Sequence, residues 1–427
     1  MNKELTIVMT TDENYILQTR VAIWTLLEAG EKDSFFNIYI LCDSQLEECK
    51  REKIYVIQKK WTNVHISFKE INESIFMNAK TTSYIPKSSF YRILIPDIIE
   101  GDRCLFLDGD IIINTDLSEI YNIDLTGKYL AGVKDCMLQC NMKEYENYGD
   151  TIGIPGMSEY INAGVLLMNL TLMRDEDMSR TFISCLKDYY MFMDQDIMNK
   201  CCFGKIVQLD LKYNFFADYY KKTDKLKGTF FSQREIDDVN KGFGILHFPG
   251  KYKPWNCIRT GGADLWWKCA ERALSAVDYE ELYNSAVENT QKNDWEYILN
   301  RCKNIKDVII IGFSDIGKDV ADSLMRCGIE NIKCFCDNNR EKQLLEYNAI
   351  KVLSIDHADL EYPEALWINT SQAGARDINK QLLLKGIRKD SILVYTVKSK
   401  LYYENIDEQY REYEAKQYRM KQYGEMN

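Results

Sequence analysis

The apolar positions of this chain fall into two alternating patterns, short continuous runs of strand length and longer stretches with helical spacing. Residues 5–10 form the first run. After Thr11-Asp12-Glu13-Asn14-Tyr15, apolar residues at Val21, Ile23, Trp24, Leu26 and Leu27 predict a helix over 16–29 that stops at Gly30. A strand is expected at 35–42, a helix at 46–61 and a third strand at 64–68. Strands and helices taking turns predict a largely parallel sheet covered by helices, and such sheets bind ligands at the carboxyl ends of their strands. Asp12 stands at one such end and Asp108 at another.

Further along, 88–95 reads as a helix that carries Tyr91 and Arg92 and is stopped by Pro96. Residues 114–121 lead into a strand at 129–133, and the polar stretch 139–156 reads as a surface excursion. An apolar segment over 160–169 is interrupted at its start by Asn162-Ala163-Gly164. A helix at 182–190 precedes Asp194-Gln195-Asp196, and the charged stretch 221–241 reads as a long flexible loop of the kind that serves binding. From 265 to 302 the pattern is helical and acidic. A strand at 307–311 then runs into Gly312-Phe313-Ser314-Asp315-Ile316-Gly317 and a helix, and a second strand at 332–336 ends at Asp337. Strands at 366–369 and 391–395 complete a second α/β unit. The division expected is a first domain over 1–267, a helical connection over 268–303, an α/β domain over 304–399 and a charged, Tyr-rich helical tail over 400–427.

The chemistry concentrates at Asp108-Gly109-Asp110, which joins two apolar runs. Residues i and i+2 of an extended chain share a side, so both carboxylates can face one point, and Gly109 lets the backbone bend between them. Two like charges held that close need a positive partner, most simply a divalent cation. An acidic turn closing an edge strand is the plainer reading, but it would sit on polar flanks. His247, one of three histidines, lies in a strand-like run before Pro249-Gly250. A core histidine is the ordinary reading of such a residue; imidazole is also the third ligand that two carboxylates lack. Gly250 to Lys253 supplies a bendable backbone and a cation suited to a diphosphate.

Composition narrows the class. A chain of 427 residues with 46% hydrophobic and 28% charged residues is an ordinary globular protein of two or three domains. The net charge of -11 argues against nucleic acid as the main partner. No run reaches the length of a membrane span and the N-terminus lacks a signal-peptide pattern. The 14 cysteines include no Cys-x-x-Cys pair, which suits free thiols in a reducing cytosol. The expected location is therefore cytoplasmic. The tail leaves contact with the inner face of a membrane, and oligomerisation, open.

Taken in order, Thr10-Thr11-Asp12-Glu13-Asn14-Tyr15, Tyr91-Arg92, Leu107-Asp108-Gly109-Asp110, Asn162-Ala163-Gly164-Val165, Asp194-Gln195-Asp196 and the segment from His247 to Trp255 resemble the family 8 glycosyltransferases. The resemblance covers residues 5 to about 267. It implies a GT-A domain that uses a UDP-sugar and Mn2+, with Mg2+ as the other candidate, and that retains configuration at the anomeric carbon. It implies that Thr11, Asp12 and Tyr15 hold the uracil end and Arg92 the diphosphate or sugar. Asp108, Asp110 and His247 would hold the metal, with Gly109 between the acids, and Gly250 and Lys253 would meet the diphosphate. Asn162 and Ala163 would contact the donor sugar, and Asp194 and Gln195 would lie by its reacting carbon. Asp194 also fits a plain helix N-terminus. The fold expected is α/β, a GT-A nucleotide-diphospho-sugar transferase domain followed by a smaller Rossmann-like α/β domain. In that second domain Ser314 replaces the middle glycine of a dinucleotide fingerprint and works against close approach of a pyrophosphate, which favours a structural or docking role over nucleotide binding. The function expected is hexose transfer, glucose or galactose, from a UDP-sugar to a glycan, a lipid-linked sugar or a protein. The alternatives are a nucleotide-sugar-binding protein without transferase activity and a haloacid-dehalogenase-type phosphatase.

Overall fold

Ten strands build the N-terminal part of the chain: β1 (Lys3–Thr10), β2 (Ser34–Asp43), β3 (Val64–Ile71), β4 (Arg103–Leu107), β5 (Ile111–Ile113), β6 (Leu130–Lys134), β7 (Ile161–Asn169), β8 (Ile206–Gln208), β9 (Phe215–Phe216) and β10 (Ile245–His247). They belong to a computed structural model that describes residues 3–77, 79, 87–250, 252–258, 260–371 and 374–395. The tail expected from residue 400 lies outside the described residues, as does Lys251. Seven strands form one sheet in the order β3-β2-β1-β4-β7-β6-β8, and a small second sheet runs β5-β10-β9.

The pairs β1–β2, β2–β3 and β1–β4 are parallel, as strand-helix alternation predicts. Strand β7 departs from that expectation and runs antiparallel to both β4 and β6. Its direction was not readable because all of its residues but Asn169 are buried, and a strand covered on both faces shows one continuous apolar run whichever way it points. Since β2 lies on one side of β1 and β4 on the other, the chain order switches between β1 and β4. The crevice beyond their carboxyl ends is the place where an open sheet binds its ligand.

The helix Ile16–Ala29 is buried on nearly every side, and Thr25 Oγ1 accepts the N–H of Ile113 at 3.1 Å, tying this helix to the small sheet. The helix expected over 88–95 is instead a 3-10 helix, Lys87–Leu94, continued by a short α-turn, Ile95–Ile98. Pro96 does not stop it, because a proline in the first turn of a helix has no hydrogen bond to lose. The stretch 139–156 folds into the short helices Cys136–Cys140, Met142–Tyr145 and Tyr148–Ile152, with Leu138 and Ile152 in the core.

The chain divides into two compact units, and among the described residues the second begins at Ala286, after Ser285. The division falls inside the segment expected to connect the two, within a single helix, Ala276–Lys303. In the second unit β11 (Val308–Ile311), β12 (Ile332–Cys336), β13 (Glu346–Tyr347), β14 (Ile350–Leu353), β15 (Leu366–Asn369) and β16 (Ile392–Val394) form a sheet ordered β13-β14-β12-β11-β15-β16. Only the edge pair β13–β14 is antiparallel. Asp337, which stands where a ribose-binding acid would, is turned into its own turn: its oxygens accept the N–H groups of Phe313 at 3.0 Å and Asn339 at 2.9 Å, and the Lys342 ammonium at 3.0 Å.

The stretch 221–241 is not the expected loop. It contains a 3-10 turn, Thr223–Leu226, and a helix, Gln233–Lys241. Ser232 Oγ accepts the Glu235 N–H while Glu235 accepts the Ser232 N–H, a reciprocal cap over Ile236 and Val239, which are buried. Replacing Ser232 by Ala is expected to cost this helix about 1 kcal/mol. Amide hydrogen exchange should read this as faster exchange across 233–241 with the central strands unchanged.

Candidate active site

At the end of β4 the chain passes from the large sheet to the small one. The Asp108 N–H donates to the Gly164 carbonyl at 2.8 Å, still pairing with β7, whereas the Asp110 carbonyl accepts the Phe248 N–H at 2.9 Å and belongs to the small sheet. The two acids therefore bracket the hand-over. Antiparallel pairing of β5 with β10 then sets His247 opposite Ile111. His247 Nε2 comes to 3.2 Å from Asp110 Oδ1 and 3.8 Å from Asp108 Oδ2, and one ligand atom from each of the three lies within 4.8 Å of the others.

The chain bends at Gly109 as expected, and a second reason for the glycine comes from packing. Its φ is not left-handed, but a Cβ there would stand 2.9 Å from Thr19 Oγ1 on the helix beneath. Gly164 is constrained more tightly, since a Cβ would collide with His247 Cε1 and stand 2.8 Å from Asp108 Oδ2. A side chain at this position would push the acid and the imidazole apart.

Two carboxylates within about 5 Å repel by roughly 3–4 kcal/mol at an effective dielectric near 20, so the positive groups around them decide their state. Burial raises the pKa of Asp108, with Arg92 opposing; its guanidinium Nη2 lies 2.9 Å from Asp108 Oδ1. Burial also acts to raise Asp110, but Lys253 and His247 outweigh it and hold Asp110 below the usual carboxylate range. The Lys253 ammonium sits against Asp110 and donates to the Phe248 carbonyl at 2.7 Å. Arg92 is buried; its Nε lies 3.0 Å from Asp194 Oδ2 and donates to the Ser89 carbonyl at 3.0 Å, and its Nη1 donates to the Ala163 carbonyl. Asp194 opens the helix Asp194–Cys202, and burial pushes its pKa up to about 6 against the pull of Arg92. The residue before it, Met193, has φ 51°, a strained backbone for a side chain of that size.

Gln195 Oε1 accepts from the Ala163 N–H at 3.0 Å and from Asn162 Nδ2 at 2.8 Å, while its Nε2 donates to Asp135 Oδ2 at 3.1 Å. Asp196 faces away from this cluster and accepts from the hydroxyls of Tyr148 and Tyr160 and the N–H of Phe192, holding the loop before the helix in place. Thr11 is buried and its Oγ1 accepts from Thr19 Oγ1 at 3.0 Å. Asp12 Oδ1 accepts the Asn14 N–H at 2.8 Å, and burial raises its pKa. The Tyr15 ring meets Trp255 edge-on at 5.7 Å. Gly250 adopts φ 83°, in the left-handed region that favours glycine.

All fourteen residues singled out in the sequence line one cleft of about 410 Å³. The same cleft is lined by Ser88, Ser89, Asp135 and Asp218, which sequence reasoning did not name. Asp135 was within reach: it follows the strand expected over 129–133 by two residues, as Asp12 follows the run 5–10. Asn214, fully buried behind His247, gave no signal in the sequence.

Hard carboxylate oxygens joined by one imidazole nitrogen suit Mn2+ or Mg2+, and the crowding of Asp108 and Asp110 on the His247 nitrogen is relieved by a cation among them. Replacing Gly164 by Ala is expected to reduce divalent-cation affinity by about tenfold or more, from displaced ligands rather than a lost one. Titration with Mn2+ followed by electron paramagnetic resonance checks this, with circular dichroism to confirm the fold.

The Glycosyl transferase family 8 pattern matches residues 6–259, more than half of the chain. Among curated relatives, General stress protein A of Bacillus subtilis is 24% identical over 258 residues, covering 58% of this chain and 87% of its own. The glycosyltransferase GlyE of Streptococcus pneumoniae is 25% identical over 297 residues, covering 68% and 67%. The lipopolysaccharide 1,3-galactosyltransferase of Salmonella typhimurium is 24% identical over 256 residues, covering 57% and 71%. Among solved structures, the galactosyltransferase LgtC in complex with donor and acceptor sugar analogues superposes with TM-score 0.55 at 23% identity, over 64% of this chain and 97% of that one. The bifunctional glycosyltransferase WbbM gives TM-score 0.57 at 21% identity, over 67% and 52%. These two likenesses show the GT-A fold. With its family pattern spanning both sheets and the cleft between them, this chain belongs to glycosyltransferase family 8.

Proposed function

We propose that the cleft transfers a hexose, glucose or galactose, from a UDP-sugar to a glycan, lipid-linked or protein acceptor, with retention at the anomeric carbon. The observation that carries this reading is the convergence of Asp108, Asp110 and His247 at the switch point of the sheet, beside Lys253 and Asp194. Family membership removes the phosphatase alternative. It leaves a silent sugar-nucleotide binder as the rival.

Asp108, Asp110 and His247 would hold the divalent cation. When bound, such an ion supplies Lewis-acid neutralisation of the charge that grows on a departing diphosphate. Asp12 and Tyr15, at the end of β1, take the uracil, with Trp255 backing the tyrosine ring. Lys253 now stands in for a cation at Asp110. The Lys253 ammonium, beside the left-handed turn at Gly250, would also meet the diphosphate. Asn162 and Ala163 meet the donor sugar.

The C1–O bond to the diphosphate breaks while the acceptor oxygen bonds to C1 on the same face. The acceptor proton passes to the departing diphosphate oxygen. Asp194 and Gln195 orient the sugar and stabilise the positive charge that develops at C1. The contact of Asp194 with Arg92 supports this over nucleophilic attack, because a carboxylate neutralised by a guanidinium is a poor nucleophile. Arg92 on this reading braces Asp108 and Asp194 from beneath instead of gripping the diphosphate.

A screen of UDP-sugars with Mn2+ is expected to show donor hydrolysis that chelation abolishes. Asp110→Asn should lose about 100-fold or more of it. Nuclear magnetic resonance of the first-formed sugar should show the donor's anomeric configuration. Binding of UDP-sugars with neither hydrolysis nor transfer would establish the silent binder instead. For Asp194→Asn a fall in kcat of about 100-fold is expected, with little change in KM; near-normal turnover would strip Asp194 of this role.

A further inference from the structure

Behind the three proposed ligands lies a hydrogen-bond run whose direction can be worked out without ambiguity. The Gly164 N–H can only donate, and it points at Asn162 Oδ1 from 2.9 Å. The Asn162 amide is thereby fixed, with its nitrogen toward Gln195 Oε1 at 2.8 Å and Asp135 Oδ2 at 3.3 Å, both acceptors. Gln195 is fixed independently by the Ala163 N–H on its oxygen. Asn162 Oδ1 also accepts from Asn214 Nδ2 at 2.8 Å, so the other end of the Asn214 amide must be oxygen. That oxygen lies 2.8 Å from His247 Nδ1. An amide oxygen can only accept, so Nδ1 carries a proton and Nε2 is the ring nitrogen that faces Asp110 and Asp108.

We infer that Asn214 is a positioning residue that fixes His247 as the Nδ1–H tautomer and so presents Nε2 to the cation site. The inference rests on the metal reading of the cleft, though the proton on Nδ1 does not. Asn214 has no exposed surface, as does the backbone-held amide of Asn162 almost entirely, so water is in no position to replace the bond. It reaches this place because Phe215 and Phe216, the two residues after it, pair parallel with Leu246 and His247. Phe216 also packs edge-on against the imidazole, ring centroids 5.5 Å apart. Partners of this kind orient ligating imidazoles and raise their basicity.

The first readout is a long-range proton–nitrogen spectrum of the metal-free full chain. Only three histidines contribute, and the other two, His65 and His357, are exposed. The His247 signals, assigned by their loss in His247→Gln, are expected to show a proton on Nδ1; an Nδ1 without one overturns the proposal. The second readout is Mn2+ affinity by electron paramagnetic resonance. Asn214→Leu, which keeps the volume and removes both bonds, should weaken it about 10- to 100-fold and mix the tautomers. Asn214→Asp, whose carboxylate still accepts from Nδ1, should keep the wild-type tautomer and most of the affinity. Unchanged Mn2+ affinity in Asn214→Leu overturns the positioning role while leaving the metal site standing. Nδ1–H in a wild-type protein that binds no Mn2+ overturns the metal reading and, with it, the purpose assigned to Asn214. If Asn214→Leu fails to fold, the wild-type spectrum and Asn214→Asp decide the matter.

Discussion

Everything in the cleft depends on one short pairing, the three residues of β5 against the three of β10. Without it, Asp108 and Asp110 would close a strand at the edge of a crevice and His247 would be a core residue far along the chain. With it, the imidazole is delivered to within hydrogen-bond range of one acid and close to the other. The pairing is itself anchored from below, where Thr25 of the long buried helix accepts the Ile113 N–H. Strands of three residues are weak alone. Their flanking apolar side chains, Ile111 to Ile113 and Ile245 with Leu246, are buried and supply the hold.

The cleft then has to manage its charge. Asp108, Asp110 and Asp194 converge, and beside His247 the permanent cations Arg92 and Lys253 offset them from within hydrogen-bond or ion-pair distance. The two cations are used differently. Arg92 is buried and spreads its planar fork over two acids and two carbonyls, the geometry of a permanent brace. Lys253 makes a point contact with Asp110 from a single flexible stem, and a flexible ammonium can change partner where a clamped guanidinium cannot. That asymmetry is why the two basic residues take unlike parts in the proposed transfer.

Much of the site was legible because the physics that builds it is local. A carboxylate at the carboxyl end of a strand in an alternating α/β chain points at a crevice, and this rule found Asp12 and Asp108; applied once more it would have found Asp135. The cap Ser232-x-x-Glu235 was equally legible, yet the surrounding charge concealed a helix whose buried face is only Ile236 and Val239. Other features carried no signal. Pro96 looks the same in a sequence whether it ends a helix or sits in the first turn of one. The second reason for Gly109 carried no signal because Thr19 approaches it from ninety positions earlier in the chain.

By itself the sequence determined which chemistry was on offer: strand-ending carboxylates, one histidine in an apolar run, a lysine after a glycine, and the family resemblance that sets them in order. These follow from residue type and near-neighbour spacing, which the chain carries along its length. Tertiary structure alone decided the direction of β7, the turning of Arg92 toward two acids, and the bond from Asn214 to His247. Each of these depends on groups that meet only after strands have chosen partners. No spacing in the sequence encodes which ring nitrogen of a histidine holds its proton.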